Sequence, residues 1–250
     1  MPLRLIPRLD IKGPNLVKGI RLEGLRVLGD PAAFAARYAA EGADEIIYQD
    51  IVASLYGRNS IADLVRRTAE QVFVPLTVGG GIRSIADIQG LLRAGADKVC
   101  LNTAAVKRPA FITEAATTFG TQCVVVAIET IRQGDGRWLA FTDNGRQPTG
   151  LDARDWARRA VELGAGELLL TSVDREGTKH GFDLEFIRML AREVEVPVVA
   201  HGGCGSAEDL IAAARLGVDG LAVASVLHYR LASITALKDA LAAAAIEVRA

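Results

Sequence analysis

The amino-acid sequence predicts a closed (β/α)8 TIM barrel with a twofold half-barrel internal repeat. Three observations predict it: a length of 250 residues, an eightfold alternation of short β-branched runs with longer Ala- and Leu-rich segments, and an internal repeat. Eight strand–helix units in about 250 residues is the size expected of such a barrel. The competing fold is a doubly wound open sheet, which does not explain why the strand–helix unit repeats eight times. We expect one domain over 1–250, with half-barrels of about 1–120 and 121–250.

The predicted strands are short apolar runs, and each is followed by a segment with helical character. The strands are expected at 4–10, 46–51, 76–79, 99–102, 123–129, 168–172, 198–201 and 221–224. The helices are expected at 31–42, 60–72, 84–94, 108–119, 152–164, 183–194, 206–216 and 231–244. Residues that favour helix starts stand at the expected N-cap positions, namely Ser60, Ser84, Asp152 and Ser206. Glycines that favour helix ends follow the helices at Gly42, Gly95, Gly164 and Gly217.

The composition excludes several classes of function. The chain has 29 Lys and Arg against 30 Asp and Glu, so it lacks the basic excess typical of nucleic-acid and membrane-surface binders. No apolar run approaches the roughly 18 residues that a membrane span needs. The three cysteines are odd in number and widely separated, which favours a reducing cytoplasm over a disulfide framework. His201 and Cys204 form an isolated H-x-x-C pair, so we expect no metal and no cofactor.

The internal repeat relates the two halves of the chain at an offset of 122 positions. Segment 72–104 aligns with 194–226 without a gap, and Gly80 and Gly81 meet Gly202 and Gly203. Such a repeat predicts two equivalent half-barrels about a pseudo-twofold axis. A site repeated in this way suits a small-molecule ligand with two similar ends.

Two carboxylates stand at the ends of the first and fifth predicted strands. Asp10 and Glu129 would therefore lie on opposite sides of one barrel mouth, where such barrels carry their active sites. A pair of this kind can divide general acid and general base roles. Alternatively, each carboxylate caps a loop or pairs with a nearby lysine, such as Lys12 or Lys18.

Two glycine-rich segments follow the third and seventh strands, at 79–81 and 202–205. Bare backbone N–H groups at a helix start bind anions, so these segments predict two phosphate sites. The equivalent segments 102–103 and 224–225 could supply further donors. The alternative is that the glycines serve only tight turns.

Four charged residues stand at predicted strand starts, and they are Arg4, Glu45, Lys98 and Glu167. Charges at such positions are usually solvated. If they point inward instead, they form a ring of alternating sign that closes the barrel bottom.

Several motifs together resemble the HisF family, the cyclase subunit of imidazole glycerol phosphate synthase, over essentially the whole chain. They include LDIKGPNLVKG, VGGGIRS, GADKVCLNTAAV, FTDNG, TSVDREGTK, GGCG and ASVLHY. The resemblance implies a lyase of histidine biosynthesis that forms a heterodimer with a glutaminase (HisH-type) subunit. Ammonia from that partner enters through the barrel bottom. At the mouth the ammonia reacts with an open-chain substrate that carries two phosphates, a phosphoribulosyl-formimino-aminoimidazole carboxamide ribonucleotide. The products are imidazole glycerol phosphate and aminoimidazole carboxamide ribonucleotide.

The resemblance also implies roles for individual residues. Asp10 and Glu129 would be the acid/base pair, and Lys18 and Glu176 would contact substrate. One phosphate would be held by Gly81, Asn102 and Thr103, and the other by Gly177, Gly203, Ala224 and Ser225. The ammonia gate would comprise Arg4, Glu45, Lys98 and Glu167.

Four residues at the mouth depart from the family pattern. Glu129 and Glu176 replace Asp, Arg8 replaces a small Cys, and His201 replaces the usual Ser. These departures leave two other functions open. One is a paralog that delivers ammonia to another acceptor, such as an amidino sugar of a surface polysaccharide. The other is a non-enzymatic scaffold that activates a glutaminase. Asp10 and both glycine loops favour the cyclase.

Overall fold

The computed structural model describes residues 2–53 and 61–249. The strands found there are, in chain order, β1 (Arg4–Lys12), β2 (Asn15–Ile20), β3 (Glu23–Gly29), β4 (Ile46–Asp50), β5 (Leu76–Gly79), β6 (Lys98–Leu101), β7 (Val124–Arg132), β8 (Trp138–Thr142), β9 (Gln147–Asp152), β10 (Glu167–Ser172), β11 (Val198–His201) and β12 (Gly220–Val223). The helices described are α1 (Pro31–Ala40), α2 (Ala62–Ala69), α3 (Ile85–Ala94), α4 (Thr103–Lys107), α5 (Ala110–Phe119), α6 (Ala153–Glu162), α7 (Leu184–Leu190), α8 (Ala207–Ala214), α9 (Ser225–His228) and α10 (Ile234–Ala243).

Eight of the strands close into a parallel barrel. They follow one another around it in the order β1, β4, β5, β6, β7, β10, β11 and β12. The circle closes because β12 pairs in parallel with β1, and β7 pairs in parallel with β10. The predicted (β/α)8 barrel is therefore confirmed. All eight strands end at the same mouth, so distant parts of the chain meet there.

Two antiparallel hairpins extend the barrel at that mouth. β1 runs past Asp10 to pair with β2, and β7 runs past Glu129 to pair with β8. The two strands were expected to end at these carboxylates and are longer because they continue into the hairpins. The β2–β3 pair was not predicted, because its residues alternate only weakly and β3 is largely exposed.

The helices match the expected positions with shorter ends. Ser84 and Ser206 both form capping boxes, with Asp87 and Asp209 respectively, which explains why α3 and α8 begin where the sequence predicts. Ser60 lies outside the described residues. Cys123, expected in a strand, belongs to a short 3-10 turn (Thr121–Cys123). The short helices α4 and α9 were not predicted.

Alternating residues of each barrel strand face the helices or the barrel interior. On β1, Leu5 and Leu9 pack outward in the main core, whereas Ile6 faces inward. The interior layer is apolar and consists of Ile6, Ile47, Cys100, Val125, Ala127, Leu169, Val199 and Ala222. It separates the strand starts from the mouth. Within the described part of the chain, no helix has the length and apolar character needed to cross a membrane.

Candidate active site

Asp10 lies at the floor of the mouth and is 1% exposed. Its Oδ1 accepts a 3.0 Å hydrogen bond from Nε of Arg8, and Nζ of Lys18 lies 3.5 Å from Oδ2. Burial by itself raises the pKa of Asp10, but the positive charges of Arg8 and Lys18 outweigh it and hold the pKa below its ordinary value. Asp10 is therefore an ionised carboxylate near neutral pH.

Glu129 is buried in the same mouth but has a different environment. Its Oε2 accepts a 2.8 Å hydrogen bond from the backbone N–H of Gly145 in the turn between β8 and β9. Burial raises the pKa of Glu129 to about 7 and outweighs the opposing effect of Arg8. Close to neutral pH this carboxyl group can hold a proton that Asp10 cannot. The two groups thus favour opposite protonation states.

The β2–β3 hairpin folds over Asp10 and is anchored by Glu176. Lys18 contacts Oε1 of Glu176, and the backbone N–H of Leu22 donates a 2.9 Å hydrogen bond to Oε2. Gly177 packs directly against the backbone of Gly19, where any side chain would overlap it. Lys18 and Glu176 are therefore brought together with Asp10, and both side chains are buried.

A cavity of about 130 Å³ opens on one side of the mouth. The glycine loop after β5 and the start of α4 line it, and its lining includes Gly80, Gly81, Asn102, Thr103, Asn144 and Glu129. Asn144 was missed by the sequence analysis. Both polar atoms of its buried side-chain amide lack a partner within the described chain. The only sequence signal for it was its place in the FTDNG motif.

A second and much smaller cavity, of about 10 Å³, lies on the other side of the mouth. It is lined by Glu176, Gly177, His201, Gly203, Ala224 and Ser225, among others. We call the two cavities the first and second anion pockets, after the glycine loops that line them. The structure thus brings together the residues expected around each phosphate.

Arg8 connects β1 to the ends of β10 and β11. Its Nη1 donates hydrogen bonds to Oγ1 of Thr171 at 3.2 Å and to Nδ1 of His201 at 3.1 Å. Its Nη2 is buried and lacks a partner in the described chain. Burial, and then the positive charges of Arg8 and Lys18, hold the pKa of His201 well below its usual value. His201 is therefore a neutral imidazole.

The four charged residues at the strand starts point inward and form one ring. Nη1 of Arg4 lies 2.7 Å from Glu45 and 3.1 Å from Glu167. Nζ of Lys98 lies 3.1 Å from Glu45 and 2.9 Å from Glu167. Cations and carboxylates alternate around the barrel axis, so the ring closes the bottom of the apolar interior.

A metal site finds no support in residues 2–53 and 61–249, where no three His, Cys, Asp or Glu side chains are grouped to hold an ion. In the H-x-x-C pair, Nδ1 of His201 already accepts from Arg8. Cys204 is turned toward the backbone carbonyl of Ser206 at 3.6 Å.

Comparison with known proteins decides the family. The family model described as "Histidine biosynthesis protein" matches residues 4–233. The chain is 58% identical over 207 residues to the imidazole glycerol phosphate synthase subunit HisF of Legionella pneumophila, an alignment that spans 83% of this chain and 98% of that protein. It is 50% identical over 249 residues to the subunit of the same name from Gluconacetobacter diazotrophicus, spanning 100% of this chain and 96% of that protein. The chain belongs to the HisF family.

Membership of the HisF family confirms the enzyme class expected from the motifs. This HisF chain is a cyclase subunit of imidazole glycerol phosphate synthase, a lyase of histidine biosynthesis. Neither comparison favours delivery of ammonia to another acceptor. Both relatives are named as subunits, which describes them as parts of a complex.

Proposed function

We propose that the mouth joins ammonia to the open-chain bis-phosphate substrate of the family, with Asp10 as general base and Glu129 as general acid. The observation that carries this proposal is the contrast between the two carboxyl groups in one mouth. Asp10 is paired with Arg8 and Lys18 and stays ionised, whereas burial raises the pKa of Glu129 to about 7. Two groups with separated pKa values are suited to opposite proton transfers.

The proton transfers follow from these states. As the nitrogen of ammonia bonds to the ketone carbon of the ribulosyl portion, Asp10 removes a proton from that nitrogen. The electron pair of the carbonyl moves to oxygen, which takes a proton from Glu129. The resulting carbinolamine loses water, and its nitrogen then bonds to the formimino carbon. The bond from that carbon to the aminoimidazole carboxamide ribonucleotide breaks, and this product leaves as its amine with the proton that Asp10 took up, which closes the imidazole ring. General acid and base catalysis of this kind contributes about 10²–10⁴ in rate.

The two anion pockets are suited to the two phosphates. Backbone N–H groups at a helix start stabilise negative charge without a charged side chain. In the first pocket Gly81, Asn102 and Thr103 would hold one phosphate. In the second pocket Gly177, Gly203, Ala224 and Ser225 would hold the other, with Lys18 and Glu176 beside it. The carboxylates lie between the pockets, where the central part of the substrate would span.

Ammonia would reach the mouth along the barrel axis. The ring of Arg4, Glu45, Lys98 and Glu167 closes the bottom, and the apolar interior layer lies above it. An apolar lining favours neutral ammonia over ammonium, because burial of an unpaired charge is costly. The ring would therefore act as a gate.

The partner would be a HisH-type glutaminase bound over the ring in a heterodimer. The subunit designation of both relatives supports a complex. The charged ring at the closed end of the barrel supports docking of the partner there. We place the pair in the cytoplasm, in keeping with three unpaired cysteines.

We also propose that the chain is one domain of two half-barrels, supported by the equivalent capping boxes of Ser84 and Ser206.

The decisive experiment measures turnover of the bis-phosphate substrate by the purified chain with an ammonium salt. Free ammonia replaces the channelled supply, so no partner is needed. We expect formation of aminoimidazole carboxamide ribonucleotide and imidazole glycerol phosphate in equal amounts. A folded chain that binds the substrate but forms neither product would refute the proposed chemistry.

A further inference from the structure

His201 has one ring nitrogen occupied and one available. Nδ1 lies 3.1 Å from Nη1 of Arg8 and 3.3 Å from Oγ1 of Thr171. A guanidinium group can only donate, so Nδ1 must accept and carries no proton. In a neutral imidazole the proton then resides on Nε2. Nε2 makes no hydrogen bond within the described residues.

The second anion pocket is where that free donor can act. His201 ends β11, directly before Gly202 and Gly203, and its side chain lines the pocket together with Ser225. Nε2 is accessible to solvent in the pocket, so an anion that binds there can replace water as the partner of its N–H group. A phosphate oxygen is an acceptor that matches it.

We propose that Arg8 is a positioning residue that fixes His201 as an Nε2–H hydrogen-bond donor to the anion bound in the second pocket. The inference rests on the proposed function only in taking that anion to be a phosphate of the substrate. Arg8 and His201 then act as one unit. Without His201, Nη1 of Arg8 keeps only Thr171 as an acceptor. Without Arg8, the imidazole of His201 is free to adopt either tautomer.

The surrounding charges support a neutral donor rather than a cation. Arg8 on β1, Lys18 on β2 and His228 on α9 all oppose a positive charge on His201. Asp10 and Glu176, the nearby carboxylates, are engaged by Arg8 and Lys18. Anion binding through His201 should therefore not strengthen as the pH falls through the usual range of histidine.

The test begins with the unmodified chain labelled with ¹⁵N-histidine, which contains only His180, His201 and His228. We expect the His201 signals, assigned with His201→Ser, to show a proton on Nε2 and none on Nδ1 from about pH 5 to 8. Inorganic phosphate should shift the Nε2 signal. A proton on Nδ1, or no response of His201 to phosphate, would overturn the proposal.

A double-mutant cycle then tests whether the two residues act together. The affinity for inorganic phosphate is followed at the backbone amides of Gly203 and Ser225. Arg8→Lys keeps the positive charge beside Asp10 but loses the fork that reaches His201. Loss of one hydrogen bond to a charged group predicts about tenfold weaker binding for His201→Ser, and severalfold weaker binding for Arg8→Lys.

In the His201→Ser background, Arg8→Lys should change phosphate affinity by less than about twofold. Equal effects of Arg8→Lys in both backgrounds would show that Arg8 acts on the anion by itself and would overturn the proposal. Arg93→Lys, on the exposed side of α3, is the matched control and should leave the affinity unchanged. If phosphate binding behaves as expected while the ammonium-driven reaction fails, the pocket assignment stands and the proposed function does not.

Discussion

The backbone N–H of Leu22 donates a 2.9 Å hydrogen bond to Oε2 of Glu176, and Lys18 contacts the other carboxylate oxygen. One carboxylate after β10 thus holds β2 and the turn before β3 over the mouth. Asp10 lies beneath and is almost inaccessible to solvent. Substrate can reach Asp10 only if this contact opens, so Glu176 links access to the site with the position of the hairpin.

Shortening Glu176 should loosen the hairpin. Glu176→Asp withdraws the carboxylate by one methylene, and loss of a charged hydrogen bond costs about 1.5–3 kcal/mol. We expect the amides of residues 15–29 to exchange about tenfold faster or more, measured by hydrogen–deuterium exchange. Glu185→Asp, at an exposed position of α7, is the control and should not alter exchange in residues 15–29. Unchanged protection in both Glu176→Asp and Glu176→Ala would contradict the anchoring role.

Removing the base should stop the reaction. Asp10→Asn keeps the shape of the side chain but cannot accept a proton, so ammonium-driven turnover should fall by about 10² or more. Binding of inorganic phosphate in the first pocket should persist, because Asp10 does not line it. Normal turnover in Asp10→Asn would show that the base is another group.

The raised pKa of Glu129 predicts two pH effects. Its value of about 7 lies above that of an unfolded glutamate, so the protonated group stabilises the fold at low pH. This stabilisation is complete below about pH 4.5 and is lost as the pH rises through about 7, with a size of roughly 3 kcal/mol. Urea unfolding at a series of pH values should show this loss in the unfolding free energy of the wild type and not in that of Glu129→Gln.

The rate of turnover, divided by the concentration of free ammonia, should also fall as the pH rises through about 7, because Glu129 then loses the proton that it donates.

Gly203 should tolerate no side chain. A Cβ there would overlap the backbone carbonyl of Gly181, and its φ of +102° already disfavours other residues. Gly203→Ala should cost about 2–5 kcal/mol in unfolding free energy and weaken phosphate binding in the second pocket. Gly217→Ala is the matched control, since its φ is +88° but nothing lies nearby. It should cost only about 1–2 kcal/mol and leave phosphate binding intact.

Breaking the charged ring at the barrel bottom should slow the reaction driven by glutamine but not the reaction driven by added ammonium. Lys98→Met leaves Glu45 and Glu167 with Arg4 alone. We expect turnover with added ammonium to stay within about threefold, because bulk ammonia also enters from the mouth, while glutamine-driven turnover with a partner glutaminase falls about tenfold or more. Lys238→Met removes a lysine paired with Asp44 outside the ring and should affect neither assay. A similar fall in both assays for Lys98→Met would argue against a gate.

The sequence predicted those parts of the site that depend on local periodicity. Asp10 and Glu129 follow from strands with a period of two, and the glycine loops follow from the internal repeat. The inward orientation of the ring stayed open, because charge at a strand start is compatible with either face. The contact between Arg8 and His201 joins residues 193 positions apart, so no local pattern could have predicted it. The residue types alone marked both positions as unusual.

Both carboxylates sit within nine-residue strands that continue into hairpins, so the reacting groups belong to the rigid wall and the covering segments are its extensions. The architecture is therefore modular. A foreign hairpin grafted between Lys12 and Pro31 would change what covers the mouth while the backbone that carries Asp10 stays in register with β4 and β12. Descendants of such a scaffold can acquire new substrates by exchanging inserts, with the proton-transfer groups inherited intact.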